Sequence, residues 1–187
     1  MENFRYKSEY LSPLGPMTMA GDGECLTGLW FDGQKYFPAS LLLDSTPVSL
    51  PVFDRTRVWL DRYFAGENPG QVPPLRLAGT PFRKAVWNLL QEIPRGQVVT
   101  YRAIAWQLSL LHGGTRVSAQ AVGGAVGHNP VSIVVPCHRV VGCDGRLTGY
   151  AGGLDRKASL LRGEGVGCEK GICLAVPGEW PLADVGR

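Results

Sequence analysis

A run of apolar, mostly β-branched residues, Val131-Ser132-Ile133-Val134-Val135, is opened by Asn129-Pro130 and closed by Pro136. Such a run reads as a buried strand. Proline cannot continue a sheet ladder, so the strand is predicted to stop at Pro136. Cys137, His138, Arg139 and Val140 follow at once. A cysteine is thus presented where a buried segment ends, beside a titratable imidazole. The thiolate is the reactive form of cysteine, and a histidine can take its proton. The dipeptide alone is weak evidence, because free cysteines are among the most buried residues and most are inert. Neighbours on a strand also face opposite ways, so His138 reaches the Cys137 sulfur only through a turn or a bridging water.

The chain has 187 residues, enough for one large or two small domains, and is 44% hydrophobic, enough for a packed core. No apolar stretch is long enough to span a bilayer. The N-terminus, Met1-Glu2-Asn3-Phe4-Arg5, has no apolar signal region. A cytoplasmic protein with no membrane partner is therefore expected. Cys25, Cys137, Cys143, Cys168 and Cys173 are odd in number and form no Cys-x-x-Cys pair. That pattern fits reduced thiols better than a disulfide scaffold. His112, His128 and His138 show no ligand spacing with the cysteines, so no metal is expected.

The net charge of +3 is unevenly spread. Residues 1–79 carry seven Lys/Arg against nine Asp/Glu, residues 80–166 ten against four, and residues 167–187 two against three. Positive charge gathers in the part that holds Cys137. Affinity for nucleic acid rests on neutralising phosphates, which makes this part the candidate DNA face. An ordinary basic surface would have the same composition, so charge alone does not decide.

Periodicity and punctuation divide the chain into 1–79, a small αβ domain ending in a Gly- and Pro-rich linker at 66–79, then 80–166, then a tail at 167–187. Residues 26–31 read as a strand before the turn Asp32-Gly33. Residues 52–64 read as a helix with Phe53, Thr56, Leu60 and Phe64 on one face. Thr80-Pro81 is a helix start, with Phe82, Val86, Leu89, Leu90 and Ile93 in helical register. Thr100 can cap a helix to about residue 110, which His112-Gly113-Gly114 breaks. Another helix runs from about residue 117 to Gly127, and the two make a helix-turn-helix pattern. Leu154, Ala158 and Leu161 mark a last helix over residues 154–162.

The second helix of that pair is made of small residues: Ala119, Ala121, Gly123, Gly124 and Ala125. Glycine inside a helix costs about 1 kcal/mol relative to alanine. Two together imply that something approaches the backbone closely. A major-groove reader would carry long polar side chains for base edges. A small-faced helix suits the minor groove and contact without sequence readout. Tight helix–helix packing would also use small residues.

From Ala119 through Asn129-Pro130 and Pro136-Cys137-His138-Arg139-Val140 to Gly142, the chain closely resembles the O6-alkylguanine-DNA alkyltransferases, also called methylated-DNA–protein-cysteine methyltransferases. The resemblance covers residues 80–165, including Tyr101, Gly149-Tyr150-Ala151-Gly152-Gly153-Leu154 and Glu164. It extends more loosely to Tyr63-Phe64-Ala65-Gly66. It implies an α/β (α+β) fold, with a ribonuclease H-like N-terminal domain and a mostly helical, winged-helix-like C-terminal domain bearing the helix-turn-helix.

The resemblance also implies direct reversal of O6-alkylguanine, and of O4-alkylthymine, in double-stranded DNA by a monomer without a cofactor. The base lesion is inaccessible in a duplex, so the base is flipped out while the helix lies in the minor groove. Cys137 is then the nucleophile that keeps the alkyl group, in a single turnover. His138 is the general base through a water, Glu164 orients it, and Asn129 supports the turn. Tyr101 donates to the flipped base. Carbonyls of Cys137 and Val140 accept from its exocyclic amine. Tyr150 and Leu147 line the pocket with Arg139 and Gly152, and the Ala151 N–H reaches the guanine oxygen. Ala119, Gln120, Ala121, Gly123, Gly124 and Arg116 face the DNA. Some relatives carry a structural zinc in the N-terminal domain; the lone Cys25, with no histidine before His112, argues against one here.

Two positions depart from the family pattern. Gln120 stands where an arginine often enters the base stack, and Ala151 stands where some relatives have serine. Three rivals remain open at this point. One is a non-catalytic lesion binder, which would lack the acceptor cysteine. Another is a helix-turn-helix regulator that uses Cys137 as a sensor. The third is a cysteine hydrolase that turns over repeatedly.

Overall fold

The computed structural model describes residues 5–38 and 46–173. Expectations placed on residues 1–4, 39–45 and 174–187 lie outside the described residues. Strands β1 (Tyr6–Ser12), β2 (Gly15–Gly21) and β3 (Leu26–Phe31) form an antiparallel meander. β4 (Thr46–Pro47) joins β1 in parallel, giving the order β3-β2-β1-β4. Helix α1 (Pro51–Phe64) starts with proline in its first turn and buries Val52, Phe53, Thr56, Trp59, Leu60 and Tyr63. That apolar stripe lies against the sheet and puts Tyr63 at the far end of the helix.

The outer edge of β3 is covered twice, which satisfies backbone groups that an edge strand would expose. Leu26 N donates to Pro74 O (2.8 Å) and Arg76 N to Leu26 O (3.0 Å), so the segment read as a linker is strapped to the sheet. Leu29 N donates to Pro130 O and Ser132 N to Leu29 O, which brings the segment before Cys137 onto the same edge.

Helix α2 (Pro81–Gln91) is capped by Thr80, whose side chain accepts from Arg83 N. Helices α3 (Tyr101–Leu111) and α4 (Ala119–Gly127) are capped by Thr100 and Ser118 and form the helix-turn-helix pair. Trp87 Nε1 donates to Ala125 O at 2.9 Å and fastens α4 to α2. β5 (Val99–Thr100) and β6 (Val140–Val141) pair in parallel. Helix α5 (Leu154–Gly163) follows, then a hairpin of β7 (Cys168–Glu169) and β8 (Ile172–Cys173) within the tail. The molecule is thus mixed α/β, with an N-terminal sheet and a helical C-terminal region. No helix among the described residues is long and apolar enough to cross a membrane.

Two sequence expectations are corrected. The run from Val131 to Val135 is not a strand: only Val131 bridges to Leu29, and the chain then turns. Carbonyls of Val131 and Val135 both accept from Asn129 Nδ2. An extended chain would separate two such carbonyls by about 13 Å, at roughly 3.3 Å per residue. Ile133 absorbs the bend at φ 69, a region that β-branched residues rarely enter. The second correction is the buried face of α5. Leu154 is 47% exposed, and the buried residues are Lys157, Leu160 and Leu161.

Candidate active site

The turn that replaces the strand carries Cys137 inward. Cys137–Arg139 form one turn of 3-10 helix, which frees His138 from strand alternation. Cys137 is 4% exposed and His138 is 0% exposed. Asn129 is the clasp of this turn. Its Nδ2 lies 3.0 Å from Cys137 Sγ, 2.8 Å from Val135 O and 3.2 Å from Val131 O, and its Oδ1 accepts from Val131 N at 3.0 Å. Burial pushes the Cys137 thiol above its ordinary value, against the Asn129 amide and the Lys157 charge that favour the thiolate. The resting thiol therefore keeps its proton.

Glu164, at the end of α5, collects five donor contacts. Oε1 accepts from Tyr63 Oη (2.7 Å), His138 Nε2 (2.7 Å) and Arg139 Nη2 (2.9 Å). Oε2 accepts from Arg139 Nε (2.8 Å) and Gly96 N (3.3 Å). Gly96 sits at φ +78, and a Cβ there would lie 3.1 Å from Glu164 O. Burial alone would raise the Glu164 carboxyl. Hydrogen bonds from His138 and Arg139 and the Arg139 charge outweigh it and hold the group well below its ordinary value.

An ionised carboxylate only accepts, so His138 Nε2 must carry the hydrogen and Nδ1 must hold the lone pair. Nδ1 is buried and makes no hydrogen bond within the protein. Burial lowers the His138 pKa, against the pull of Glu164 and with the help of the Arg139 and Lys157 charges. The resting pair is thus a neutral thiol and a neutral imidazole whose proton-accepting nitrogen is free of protein partners.

A cavity of about 630 Å³ lies beside this cluster, between α3, α4 and the loop at 148–151. Tyr101, Ala119, Gln120, Gly123, Tyr150 and Ala151 line it, and Lys35 and Tyr36 close it from the N-terminal side. Tyr101 Oη donates to Thr148 O (3.0 Å) and Gly149 O (3.2 Å), and burial raises its pKa to about 12. The Tyr150 hydroxyl is buried beside Ser132 without closing a well-formed hydrogen bond. A larger hollow of about 710 Å³ opens on the other side, against Arg139 and Glu164; the buried Cys137 lines neither space.

The structure therefore gathers Cys137, His138, Asn129 and Glu164 in one cluster and places Tyr101, Tyr150, Ala151, Gln120, Ala119 and Gly123 around the cavity. Ala121, Gly124 and Arg116 are exposed on or just before α4. Gly152 is buried, and a Cβ there would press on the Tyr150 ring at 2.7 Å, so it seats that wall. Two residues leave the positions expected of them. Leu147 packs behind the wall with Val98, Val141, Leu161 and Val166. The Arg139 guanidinium binds Glu164 and Ile93 O (2.6 Å) and lines the hollow on the other side, away from the cavity that Tyr101 and Tyr150 wall.

Sequence reasoning missed Lys157 and gave Tyr63 no role. Lys157 is fully buried, with Nζ donating to Val140 O (2.5 Å) and Thr148 O (2.8 Å). Burial pushes its pKa down to about 8, against the pull of the Cys137, Cys173 and Cys168 thiols. The available signal was a lysine on the apolar side of a short helix. Among the described residues no group of three His, Cys, Asp or Glu could hold a metal ion.

Residues 5–71 match the ribonuclease-like domain of 6-O-methylguanine DNA methyltransferase, and residues 81–166 match its DNA binding domain. A methylated-DNA–protein-cysteine methyltransferase of Haemophilus influenzae is 39% identical over 158 residues, covering 84% of each chain. One from Methanosarcina acetivorans is 42% identical over 161 residues, covering 86% of this chain and 98% of its own. Among solved structures, Mycobacterium tuberculosis OGT in complex with DNA superposes with a TM-score of 0.77 at 42% identity. That match covers 86% of this chain and 93% of the other.

Proposed function

The chain belongs to the 6-O-methylguanine DNA methyltransferase family, and from that premise we propose that it repairs O6-alkylguanine in DNA by taking the alkyl group onto Cys137. The observation that carries this reading is a buried Cys137, held by Asn129, directly before a buried His138 whose Nε2 is bound to Glu164 and whose Nδ1 has no protein partner.

The thiol proton passes to His138 Nδ1 through a water. Glu164 stabilises the imidazolium that results, through the Nε2 hydrogen bond. Asn129 Nδ2 and the Lys157 charge stabilise the thiolate. Sγ attacks the alkyl carbon, the S–C bond forms, and the C–O bond breaks with its electrons passing to the guanine oxygen and ring. The departing guanine takes up one proton, which balances the one lost by the thiol. In this reading Tyr101 donates to the ring, exchanging its bonds to Thr148 O and Gly149 O for the base. The thioether has no second step, so each molecule acts once.

The same reading places duplex DNA across α4 by its minor groove, with the flipped base in the cavity that Tyr150 and Ala151 wall. O4-alkylthymine is a second substrate of the same geometry. We assign a monomer with its domain boundary near Thr80, working in the cytoplasm.

The test is intact-protein mass after incubation with duplex DNA holding O6-methylguanine, then peptide mapping. One methyl on Cys137, stoichiometric and absent from Cys137→Ser, supports the reading. Unchanged mass with preferential binding of the damaged duplex would make the protein a lesion binder. Unchanged mass with repeated turnover would make it a hydrolase.

A further inference from the structure

The tail holds a pair of thiols that alkyl transfer does not use. β7 and β8 are joined by Lys170 (φ 47) and Gly171 (φ 77), both in the left-handed region that a two-residue type I′ turn requires. That turn pairs Glu169 with Ile172 and sets Cys168 directly opposite Cys173. Cys173 N donates away from the hairpin, to Gly145 O at 2.9 Å. Cys168 and Cys173 are therefore a non-hydrogen-bonded cross-strand pair, the kind whose Cα atoms lie about 4.5 Å apart. That separation is inside the range a disulfide bridges, about 4.4–6.8 Å. The two Sγ atoms are 3.1 Å apart.

We propose that Cys168 and Cys173 form a reversible dithiol–disulfide site, oxidised by exchange with small-molecule disulfides of the glutathione class. Cys168 is half-buried and Cys173 is 5% exposed, so Cys168 is the attacking thiol. Its thiolate bonds to one sulfur of the small disulfide, and the other leaves as a thiolate. Cys173 then attacks Cys168 Sγ, the mixed disulfide breaks, and the second small thiolate leaves. The two protons of Cys168 and Cys173 pass to the two released thiols. The protein pair loses two electrons and the small disulfide gains them. Burial and the adjacent Cys168 thiol raise Cys173 to about 12. Capping Cys168 removes its part of that shift, and the 3.1 Å between the two sulfurs places Cys173 within reach of the mixed disulfide.

The consequence reaches the cavity wall through the backbone. Cys173 N holds Gly145 O, Leu147 N donates to Gly171 O at 2.8 Å, and Arg146 bridges to Ile172. Residues 145–147 lead directly into Thr148 and Gly149, whose carbonyls receive the Tyr101 hydroxyl. A closed disulfide fixes the hairpin that straps this segment down. Cys25 and Cys143 have no thiol opposite them among the described residues and serve as internal references.

The test equilibrates the full chain at a series of oxidised-to-reduced glutathione ratios, quenches with an alkylating reagent, denatures and digests with trypsin. Cleavage after Lys170 separates peptide 163–170 from peptide 171–187. The expected result is that these two remain joined until reduction, while Cys25 and Cys143 give only glutathione adducts. Cys168→Ser removes the joined species and leaves alkyl transfer in reducing buffer unchanged. Oxidation should also slow hydrogen exchange at the Leu147 and Cys173 amides by roughly tenfold or more. Glutathione adducts on Cys168 without any joined peptide, at every ratio, overturn the proposal. A joined peptide with unaltered exchange overturns the strap.

Discussion

The Tyr63 hydroxyl donates to Glu164 Oε1 at 2.7 Å across 101 positions of sequence, and Tyr63 Oη lies 3.3 Å from His138 Nε2. The last turn of α1 thus delivers a donor into a cluster otherwise built from residues 93–164. Burial and the Glu164 carboxylate both raise the Tyr63 hydroxyl far above its ordinary value, so it stays a donor at every working pH.

Tyr63→Phe keeps the ring stacked on Trp59 and removes only that donor. A hydrogen bond to a charged group contributes about 1.5–3 kcal/mol, and the part realised at the transition state should slow alkyl transfer about tenfold. A less satisfied carboxylate pulls harder on the His138 proton, so the acid limb of the pH–rate profile should move to higher pH. Duplex affinity should hold. A lower melting temperature with an unmoved limb would make Tyr63 a packing residue only.

Acidification should remove stability in two stages. His138 binds a proton less readily in the fold than at its ordinary value of 6.5, and Glu164 less readily than at 4.5. Below each ordinary value the unfolded chain therefore binds more protons than the folded one, and stability falls with pH. Both contributions are complete above 6.5. The first declines as pH drops through 6.5 towards the folded His138 value, the second below 4.5. Urea titrations across this range should show both declines, and Glu164→Gln should shrink the second, leaving the shares of Asp22 and Asp144. The transfer rate needs neutral His138, so it should persist below pH 6.5. An acid midpoint at or above 6.5 would contradict the lowered imidazole.

Much of this was legible in local sequence because the signals are local. Thr80-Pro81 and Thr100 cap helices through bonds to residues three positions away, and the turn chemistry of Gly113-Gly114 needs no partner. The Ser118 cap went unread, and the helix it opens was started near residue 117. The run at 131–135 misled because β-branched residues pack equally well in a buried turn. What bends it is the Asn129 side chain, whose reach across six residues no periodicity registers. Leu147 and Arg139 were assigned by motif position, whereas their contacts are set by the hairpin partners of Leu147 and by the buried charge of Glu164. Lys157 stayed hidden because its partners are backbone carbonyls, which have no sequence identity.

Asn129→Ala should both loosen the turn and disarm the thiol. It strips Val131 O, Val135 O and Cys137 Sγ of one shared donor and Val131 N of its acceptor. Buried groups left unpaired cost about 1–3 kcal/mol each, so a net loss of ~2–4 kcal/mol is expected. Thermal unfolding measures that part. Alkyl transfer should fall ~100-fold or more, since the donor that favours the thiolate is gone. Asn129→Asp should do no better, because a carboxylate faces the carbonyls and raises the thiol further. Wild-type stability in both variants would mean that the turn is held elsewhere.

Gly124 separates the two explanations for the small face of α4. A Cβ built there meets nothing within 4 Å, whereas one at Gly123 would touch the Tyr101 ring at an ordinary 3.9 Å. Packing within the protein therefore does not require glycine at 124. Gly124→Ala should stabilise the fold by up to about 1 kcal/mol, because alanine is the better helix former. If α4 lies against a DNA backbone, the same methyl should hold it off and weaken duplex binding about fivefold or more, with no change in the intrinsic reactivity of Cys137 towards a small alkylating agent. Thermal unfolding and duplex titration of one variant read both effects. Gained stability with unaltered duplex affinity would move the DNA contact away from Gly124 and onto the exposed Gln120 and Arg116 at the start of the helix.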